Sequence, residues 1–308
     1  MTTLSPTLDL NTGAKIPVVG LGTWQAGKGE VGAAVKAAIK AGYRHFDCAE
    51  IYGNEAEIGE AFKSAFDEGL VKREELFITS KVFNNHHQPE RAVKAIHNTL
   101  KNLQIPYLDL SLIHWPIKFE EEQIAQPLRT PEGKLNPAIT WSFDFKETWK
   151  TLEELQKQGL AKSIGVSNFT VKQLEELLAD AQVVPAVNQV EFHPYLFQAE
   201  LLNYCTSKGI VLTAYSPLGS TVSSEGVVPL LENEVVKDIA AEVGRSAAQV
   251  VLRWGVQKHI TVIPKSSNEE RLRANFAIFD FELSPEQVAR LDSLPQHRFI
   301  RLVPGHFE

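Results

Sequence analysis

The sequence has little of what several classes of protein require. It contains only two cysteines, Cys48 and Cys205, with neither a C-x-x-C pair nor the spacing of metal ligands. This count argues against a disulfide framework and against a structural zinc site. No apolar stretch approaches the roughly 18 residues of a membrane-spanning helix, and the N-terminus lacks the basic and apolar segments of a signal peptide. We therefore expect a cytoplasmic protein that needs no metal and no membrane.

Basic residues are also fewer than acidic ones: the sequence has 31 basic and 38 acidic residues, which gives a formal net charge of −7. An acidic balance argues against nucleic acid as the main partner. The 308 residues include 44% hydrophobic and 22% charged side chains, which is typical of a globular protein with a large core. Internal repeats and linker-like segments are absent, so we expect one domain over residues 1–308.

Short apolar runs rich in β-branched residues alternate with longer segments of helical periodicity. The predicted strands are residues 18–22, 45–47, 76–80, 108–114, 163–167, 186–191, 211–215 and 261–264. The helical patterns include residues 31–41, 55–68, 89–103, 146–158, 171–178 and 200–207. Eight apolar strands with intervening helices predict an α/β fold, a parallel (β/α)₈ TIM barrel. The alternative is an open doubly wound sheet, but its G-x-G-x-x-G turn is broken by Gln25 after Gly20 and Gly22.

Three segments do not fit the alternation of strands and helices. Residues 8–17 contain an Asn-Thr-Gly turn between two short apolar segments, which predicts a hairpin that caps the bottom of the barrel. Residues 117–143 and 216–232 are long and rich in turn-forming residues, and each follows a strand. We expect both long loops at the C-terminal face, where barrel enzymes have their active sites.

Four ionisable residues stand at or just after the ends of consecutive predicted strands: Asp47, Tyr52, Lys81 and His114. In a parallel barrel these positions converge on one mouth. Taken singly, the aspartate could cap a turn, the tyrosine and histidine could be core residues, and the lysine could be a surface charge. Their joint position favours a catalytic group.

The four residue types fit the protonation of a carbonyl oxygen. A lysine cation beside a phenol lowers the pKa of the phenol, and an aspartate orients the lysine. A neutral histidine can donate an N–H to the carbonyl oxygen of a substrate. The group includes no metal-ligand cluster and no activated serine or cysteine nucleophile.

Several motifs resemble those of the aldo-keto reductase family, over about residues 8–295. They are G-Y-R-H-F-D-C-A-E-I-Y-G-N-E at 42–55, L-I-H-W-P at 112–116, G-V-S-N-F at 165–169 and I-P-K-S at 263–266. The spacing is most similar to that of the aldehyde reductase and aldose reductase branch. The resemblance implies a barrel enzyme that uses NADPH to reduce an aldehyde, with Tyr52 as proton donor in a tetrad with Asp47, Lys81 and His114.

The resemblance also implies which residues bind NADPH. It assigns Ser167, Asn168 and Gln189 to the nicotinamide carboxamide and Tyr215 to the face of the nicotinamide ring, although Tyr215 taken alone could be core packing. The other cofactor contacts implied are Gly22, Thr23, Trp24, Asp47, Ser216, Leu218, Ser220, Pro264, Lys265, Ser266, Arg271 and Asn275.

Lys265, Ser266 and Arg271 lie at a predicted helix start and form a candidate site for the ribose 2′-phosphate. The alternative is an exposed basic helix start near Arg273, neutralised by Glu269 and Glu270. Ala274 stands where the family often has a glutamate near the adenine.

The implied substrate pocket is aromatic and apolar. It comprises Trp24, Ile51, Phe83, His114 and Trp115, and relatives often have tryptophan at position 83. Trp141 and Phe143 either add to its rim or pack beneath it. We expect a small carbonyl compound as the substrate and a monomeric enzyme. The alternatives from other classes are a regulatory subunit that binds the cofactor and a structural protein recruited from a reductase.

Overall fold

Eight parallel strands form the centre of the molecule. The computed structural model describes residues 5–27, 29–119, 140–219, 226–303 and 305–307. Within these ranges the strands follow one another around the sheet in chain order. They are β3 (Leu21–Gly22), β4 (His45–Asp47), β5 (Phe77–Val82), β6 (Leu108–Ile113), β9 (Ala161–Ser167), β10 (Val187–Glu191), β11 (Val211–Tyr215) and β12 (Thr261–Val262). Two antiparallel pairs stand apart from this sheet, β1 (Thr7–Asp9) with β2 (Lys15–Pro17) and β7 (Lys118–Phe119) with β8 (Trp141–Ser142).

The sheet closes on itself between the first and last strands. Parallel bridges join Val19 to Val262 and Gly22 to Lys265. At this seam the Gly20 amide donates to the Val262 carbonyl at 2.9 Å, and the Val262 amide donates to the Val18 carbonyl at 2.8 Å. The prediction of a (β/α)₈ barrel is confirmed, and the open doubly wound alternative does not apply to this chain.

Helices cover the outside of the barrel. They are α1 (Val31–Ala41), α2 (Glu55–Asp67), α3 (Pro89–Leu103), α4 (Lys146–Lys157), α5 (Val171–Leu178), α6 (Ala199–Ser207), α7 (Glu234–Val243), α8 (Ala247–Gln257), α9 (Glu269–Phe276) and α10 (Pro285–Asp292). Their apolar faces pack on outward-facing strand residues; Phe62 of α2 meets Phe46 of β4, for example, with ring centroids 5.2 Å apart. No helix among the described residues has the length and hydropathy needed to cross a membrane.

The predicted elements match the observed ones closely, with three instructive differences. Strand β5 continues two residues beyond its predicted end, so Lys81 lies inside the strand rather than just after it. Strand β12 has only two residues, because Pro264 has no N–H to donate to a ladder. The sequence analysis also did not name α7, α8 and α10, of which α8 and α10 begin with a reciprocal Ser–Gln capping box.

The N-terminal hairpin caps the lower end of the barrel, as predicted. Leu10 and Ile16 of this hairpin pack with Phe77, Leu110 and Val187 from the starts of the barrel strands in one buried cluster. The apolar floor of the barrel and its polar mouth are thus built from opposite ends of the same strands. The two long loops at the mouth fall partly outside the described residues, at 120–139 and 220–225.

The barrel seam gives a testable prediction about Gly20. A Cβ atom there would lie 2.7 Å from the buried His45 ring and 3.0 Å from Ile263. We expect Gly20→Ala to lower the free energy of unfolding by about 1–3 kcal/mol, because a packed core cannot absorb the extra carbon. Urea denaturation followed by circular dichroism measures this change.

The matched control is Gly32→Ala on α1. The added carbon there would lie 3.3 Å from the side chain of Glu57, whose carboxylate accepts from the Gly29 and Gly32 amides, and a shift of a few tenths of an ångström by this half-exposed side chain relieves the contact. Equal losses in the two variants would contradict the role assigned to the seam.

Candidate active site

The ammonium group of Lys81 is the centre of the buried polar cluster at the barrel mouth. Its Nζ donates to Asp47 Oδ1 and Oδ2, both at 2.8 Å, and to the carbonyl of Cys48 at 2.8 Å. It also donates to the hydroxyl of Tyr52 at 3.2 Å. The lysine side chain has no exposed surface, so the interpretation of Lys81 as a surface charge is wrong.

The register of the strands brings these groups together. Asp47 ends β4 opposite Thr79 of β5, and Lys81 follows on the same face two residues later. After β4 the chain forms a short 3₁₀ turn, Glu50–Tyr52. The last residue of this turn places its phenol hydroxyl against the Lys81 ammonium. Parallel strands of adjacent βα units thus deliver the aspartate, the lysine and the phenol to one point.

The pKa values in this cluster follow from burial and from the ion pair. Burial by itself would lower the pKa of Lys81, but the Asp47 carboxylate and the Tyr52 oxygen more than offset it, so the pKa is raised. Burial raises the pKa of Tyr52 to about 12, and the opposing effect of the Lys81 charge is smaller. The lysine acts in the predicted direction, but burial, which the sequence analysis did not consider, has the larger effect. The phenol keeps its proton at neutral pH.

His114 lies beside the phenol, directly after β6. Its ring makes edge contacts with the ring of Tyr52, at a centroid distance of 5.9 Å, and with that of Phe83, at 5.5 Å. Burial, and then the positive charge of Lys81, lower the pKa of His114 well below its usual value. The imidazole is therefore neutral at pH 7, with one nitrogen that donates and one that accepts.

The three residues expected at the carboxamide lie beside this cluster and bond to one another. Ser167 Oγ donates to the Gln189 carbonyl at 2.7 Å, and Asn168 Nδ2 donates to the His114 carbonyl at 3.0 Å and to Ser167 Oγ at 3.1 Å. Gln189 Nε2 donates across the barrel to Asp47 Oδ1 at 2.7 Å. This bond, which no sequence pattern predicts, joins the two groups of residues directly.

Tyr215 ends β11 with a half-buried ring, and its hydroxyl donates to Asn168 Oδ1 at 2.8 Å. It is thus tethered at the mouth instead of filling the core. The next residue, Ser216, has a positive φ of 46°, and Gly219 has one of 76°. The Gly219 amide donates to the Ser216 carbonyl at 2.9 Å, so residues 216–219 form a tight turn directly after the strand. Leu218 is half-buried in this turn, and Ser220 lies outside the described residues.

The remaining expected cofactor contacts flank the seam. Thr23 Oγ1 donates to the Asp47 carbonyl at 2.8 Å. A Cβ at Gly22 would lie 2.7 Å from the Ile263 carbonyl, so only glycine permits this approach to the segment that leads to Pro264. Ser266 is buried and its Oγ accepts from the Asn268 amide at 3.2 Å; Asn275 is buried too.

Two exposed cations stand at the start of α9. The N-cap of this helix is Asn268, whose side chain accepts from the backbone amide of Arg271. Arg273 pairs with Glu269 at 2.7 Å, so the expected neutralisation affects Arg273 only. Among the described residues, neither Lys265 Nζ nor the Arg271 guanidinium has an ion-pair or hydrogen-bond partner. Both charges are available to an anion.

The expected substrate residues divide into two sets. Trp24 and Ile51, which lie in the turns that follow β3 and β4, are exposed by 44% and 50%, and exposed apolar side chains beyond the carboxyl ends of barrel strands suit a binding site. Phe83 and Trp115 are instead buried in one cluster with Ile117. Phe143, which is 43% exposed, lies at the rim, and Trp141 packs against it with ring centroids 5.4 Å apart.

The C-terminal tail also reaches the site. His306 Nε2 bonds to the carbonyl oxygen of Asn168 at 2.7 Å, and the imidazole meets the ring of Trp115 at 5.6 Å. The sequence offered no signal for this contact, because a histidine near a chain end has no periodicity that assigns it a partner. No group of three or more His, Cys, Asp or Glu residues in the described ranges could hold a metal ion.

Comparisons with known proteins agree with one another. The model of a family described as the aldo/keto reductase family matches residues 18–296. The chain is 49% identical to aldo-keto reductase family 1 member A1 of Mus musculus over 291 residues, which cover 92% of this chain and 88% of that protein. It is 46% identical to aldo-keto reductase family 4 member C11 of Arabidopsis thaliana over 292 residues, 95% and 90% of the two chains.

Two solved structures are similar to this chain over nearly their whole length. The aldose reductase from Schistosoma japonicum superposes with a TM-score of 0.86 at 42% identity, covering 96% of this chain and 94% of the other. The aldo-keto reductase of Bombyx mori in complex with NADP superposes with a TM-score of 0.85 at 36% identity, covering 97% and 96%.

His87, which is buried near His114, gives a prediction about pH. Its Nδ1 donates to the Asp144 carbonyl at 3.1 Å, and burial lowers its pKa from 6.5 to about 4. Between about pH 4 and pH 6.5 the unfolded chain therefore binds a proton at His87 that the folded protein does not bind. The stability due to the neutral ring is complete above pH 6.5 and is lost as the pH falls towards 4, by up to about 1.4 kcal/mol per pH unit.

We expect His87→Asn, which keeps an N–H donor but does not titrate, to reduce the slope of unfolding free energy against pH in this window; the buried residues His45, His114 and His306, whose pKa values burial also lowers, account for part of the slope that remains. Urea titrations between pH 4.5 and 7 measure the slope. His97→Asn on the exposed side of α3 is the control and should leave the slope as in the wild type. An unchanged slope in His87→Asn would show that this ring is not the group concerned.

Proposed function

The chain belongs to the aldo/keto reductase family, and on that premise we propose that it is an NADPH-dependent reductase that converts an aldehyde to an alcohol. The observation on which the proposal rests is the contact between the Lys81 ammonium and the Tyr52 hydroxyl, 3.2 Å apart in a buried cluster. A phenol that holds its proton at neutral pH beside a fixed cation is suited to general acid catalysis. We assign Tyr52 as the proton donor.

Each tetrad residue has a separate task in this proposal. The neutral imidazole of His114 donates its N–H to the carbonyl oxygen and sets that oxygen beside the phenol. Tyr52 then gives its proton to the oxygen, and the Lys81 ammonium stabilises the phenolate that is left. Asp47 keeps the lysine protonated and fixed by two bonds of 2.8 Å. The bound cofactor supplies the hydride to the carbonyl carbon.

The residues around the tetrad fit NADPH. The ring of Tyr215 is half-buried and held by its hydroxyl, so that one face can support a nicotinamide. Ser167, Asn168 and Gln189 offer amide and hydroxyl groups for the carboxamide. Lys265 and Arg271 have no partner among the described residues and lie at a helix start, where a 2′-phosphate is favoured by charge and by the helix dipole.

The pocket walls favour a broad range of aldehydes, including aldoses and short aliphatic or aromatic compounds. Trp24 and Ile51 offer exposed apolar surface, and such walls discriminate weakly between similar substrates. The proposal is preferred to a regulatory subunit or a structural protein for a physical reason. A site that only binds a cofactor has no need of a buried lysine paired to both an aspartate and a phenol.

Tyr52→Phe tests the proton donor. We expect reduction of an aldehyde such as glyceraldehyde to fall by a factor of about 10²–10⁴ or more, because the proton transfer is lost. NADPH affinity should stay within a fewfold, because the phenol acts in the transition state. Steady-state NADPH oxidation and a fluorescence titration of NADPH measure the two quantities. Tyr204→Phe on α6 is the control, and wild-type turnover by Tyr52→Phe would refute the assignment.

Lys265→Ala and Arg271→Ala test the preference for NADPH. Loss of one charged hydrogen bond to the 2′-phosphate should weaken NADPH binding by about 10–100-fold and leave NADH nearly unchanged. Arg273→Ala is a matched control on the same helix, because its guanidinium already pairs with Glu269. Dissociation constants for both cofactors decide the matter, and equal losses for NADPH and NADH would contradict the phosphate site.

A further inference from the structure

The C-terminal tail folds back over the mouth of the barrel and is fixed there at two points. The buried carboxylate of Glu191, at the end of β10, accepts from the backbone amides of Phe299 at 2.8 Å and Ile300 at 2.9 Å. The guanidinium carbon of Arg298 then lies 3.7 Å from the ring centroid of Phe307. The last described residues of the chain are thereby brought next to the candidate active site.

His306 is the residue of this tail that reaches the site. It is 4% exposed, and its ring packs against Trp115, Phe143 and Phe307 at centroid distances of 5.6, 5.7 and 4.2 Å. Its Nε2 lies 2.7 Å from the carbonyl oxygen of Asn168. A carbonyl oxygen can only accept, so Nε2 carries the proton and donates it. The aromatic contacts hold the ring in the orientation that this bond requires.

Asn168 occupies a backbone conformation that needs such support. Its φ of 65° lies in the left-handed region, where a residue other than glycine persists only if its surroundings hold it. The Asn168 amide donates to the Gln189 carbonyl at 2.9 Å, and the side chain bonds to His114, Ser167 and Tyr215. The bond from His306 fixes the remaining group, the carbonyl, and therefore the orientation of the peptide that follows.

We propose that His306 is a positioning residue for nicotinamide binding, in which its Nε2–H holds the Asn168 carbonyl so that the Ser167 and Asn168 side chains face the carboxamide. This inference rests on the proposed function, because it takes Asn168 as a cofactor contact. Without this bond Asn168 would relax from its left-handed φ, and that change would move its side chain away from both Ser167 and Tyr215. The contact made by His306 would then strengthen the binding of the nicotinamide half of the cofactor and leave the binding of the phosphate half unchanged.

Two substitutions separate the hydrogen bond from the packing of the ring. His306→Phe keeps an aromatic ring among Trp115 and Phe143 but has no donor, whereas His306→Gln keeps an N–H donor at the position of Nε2 and loses the ring. The ligands are NADPH and 2′-phospho-ADP-ribose, which shares the adenine and phosphates but lacks the nicotinamide. Calorimetric or fluorescence titrations give a dissociation constant for each pair.

We expect His306→Phe to weaken NADPH binding by about fivefold to tenfold, as for the loss of one hydrogen bond, and to change the affinity for 2′-phospho-ADP-ribose less than about twofold. His306→Gln should bind both ligands within about twofold of the wild type. Retained binding of 2′-phospho-ADP-ribose also shows that the variants are folded.

Three results would overturn the inference. They are wild-type NADPH affinity in His306→Phe, an equal loss for both ligands, and a loss in His306→Gln as large as that in His306→Phe, which would indicate packing alone. Failure of the proposed function is a different result. In that case the wild-type protein itself would not bind NADPH, or would not oxidise NADPH in the presence of an aldehyde.

Discussion

The buried ammonium of Lys81 is the constraint on which the site depends. A cation inside a barrel is costly unless its partners replace the lost water. Asp47 supplies the opposite charge, and the Cys48 carbonyl and the Tyr52 hydroxyl accept from the same nitrogen. The three N–H groups of the ammonium are thus shared among four acceptors, of which the phenol oxygen is the most distant at 3.2 Å. Burial keeps the Tyr52 proton in place, and in the proposed transfer of that proton to a carbonyl oxygen the nearby ammonium would stabilise the phenolate.

A second network links this cluster to the residues proposed to bind the cofactor. Gln189 bonds to Asp47, and Asn168 is bonded to three residues that lie in or directly after other strands, His114, Gln189 and Tyr215. The acid cluster and the proposed nicotinamide contacts therefore share one set of hydrogen bonds. A change of rotamer at either end alters the partners available to the other. The position of Asn168, in the left-handed region, is maintained by this shared set and not by its own backbone preference.

Much of the fold and part of the site could be predicted from the sequence, for reasons that particular residues illustrate. Strand periodicity and the convergence of parallel strands placed Asp47, Lys81 and His114 at one mouth. The direction of the pKa shift of Tyr52 could not be predicted, because it depends on how deeply the turn after β4 is buried. The bonds from Gln189 to Asp47 and from His306 to Asn168 cross 142 and 138 positions of sequence. No local pattern encodes such contacts, since each depends on the closed barrel and on the path of the tail.

The floor of the barrel has a consequence for the timing of turnover. Leu10 and Ile16 of the hairpin close the lower end with Phe77, Leu110 and Val187, so the lower barrel is a packed apolar layer and water approaches the phenol from above. If Tyr52 is the donor, the proton that it gives away has to be restored through the opening by which the alcohol leaves. The alcohol would then have to leave through this opening before Tyr52 is reprotonated, and slow release of the alcohol would delay the reprotonation as well.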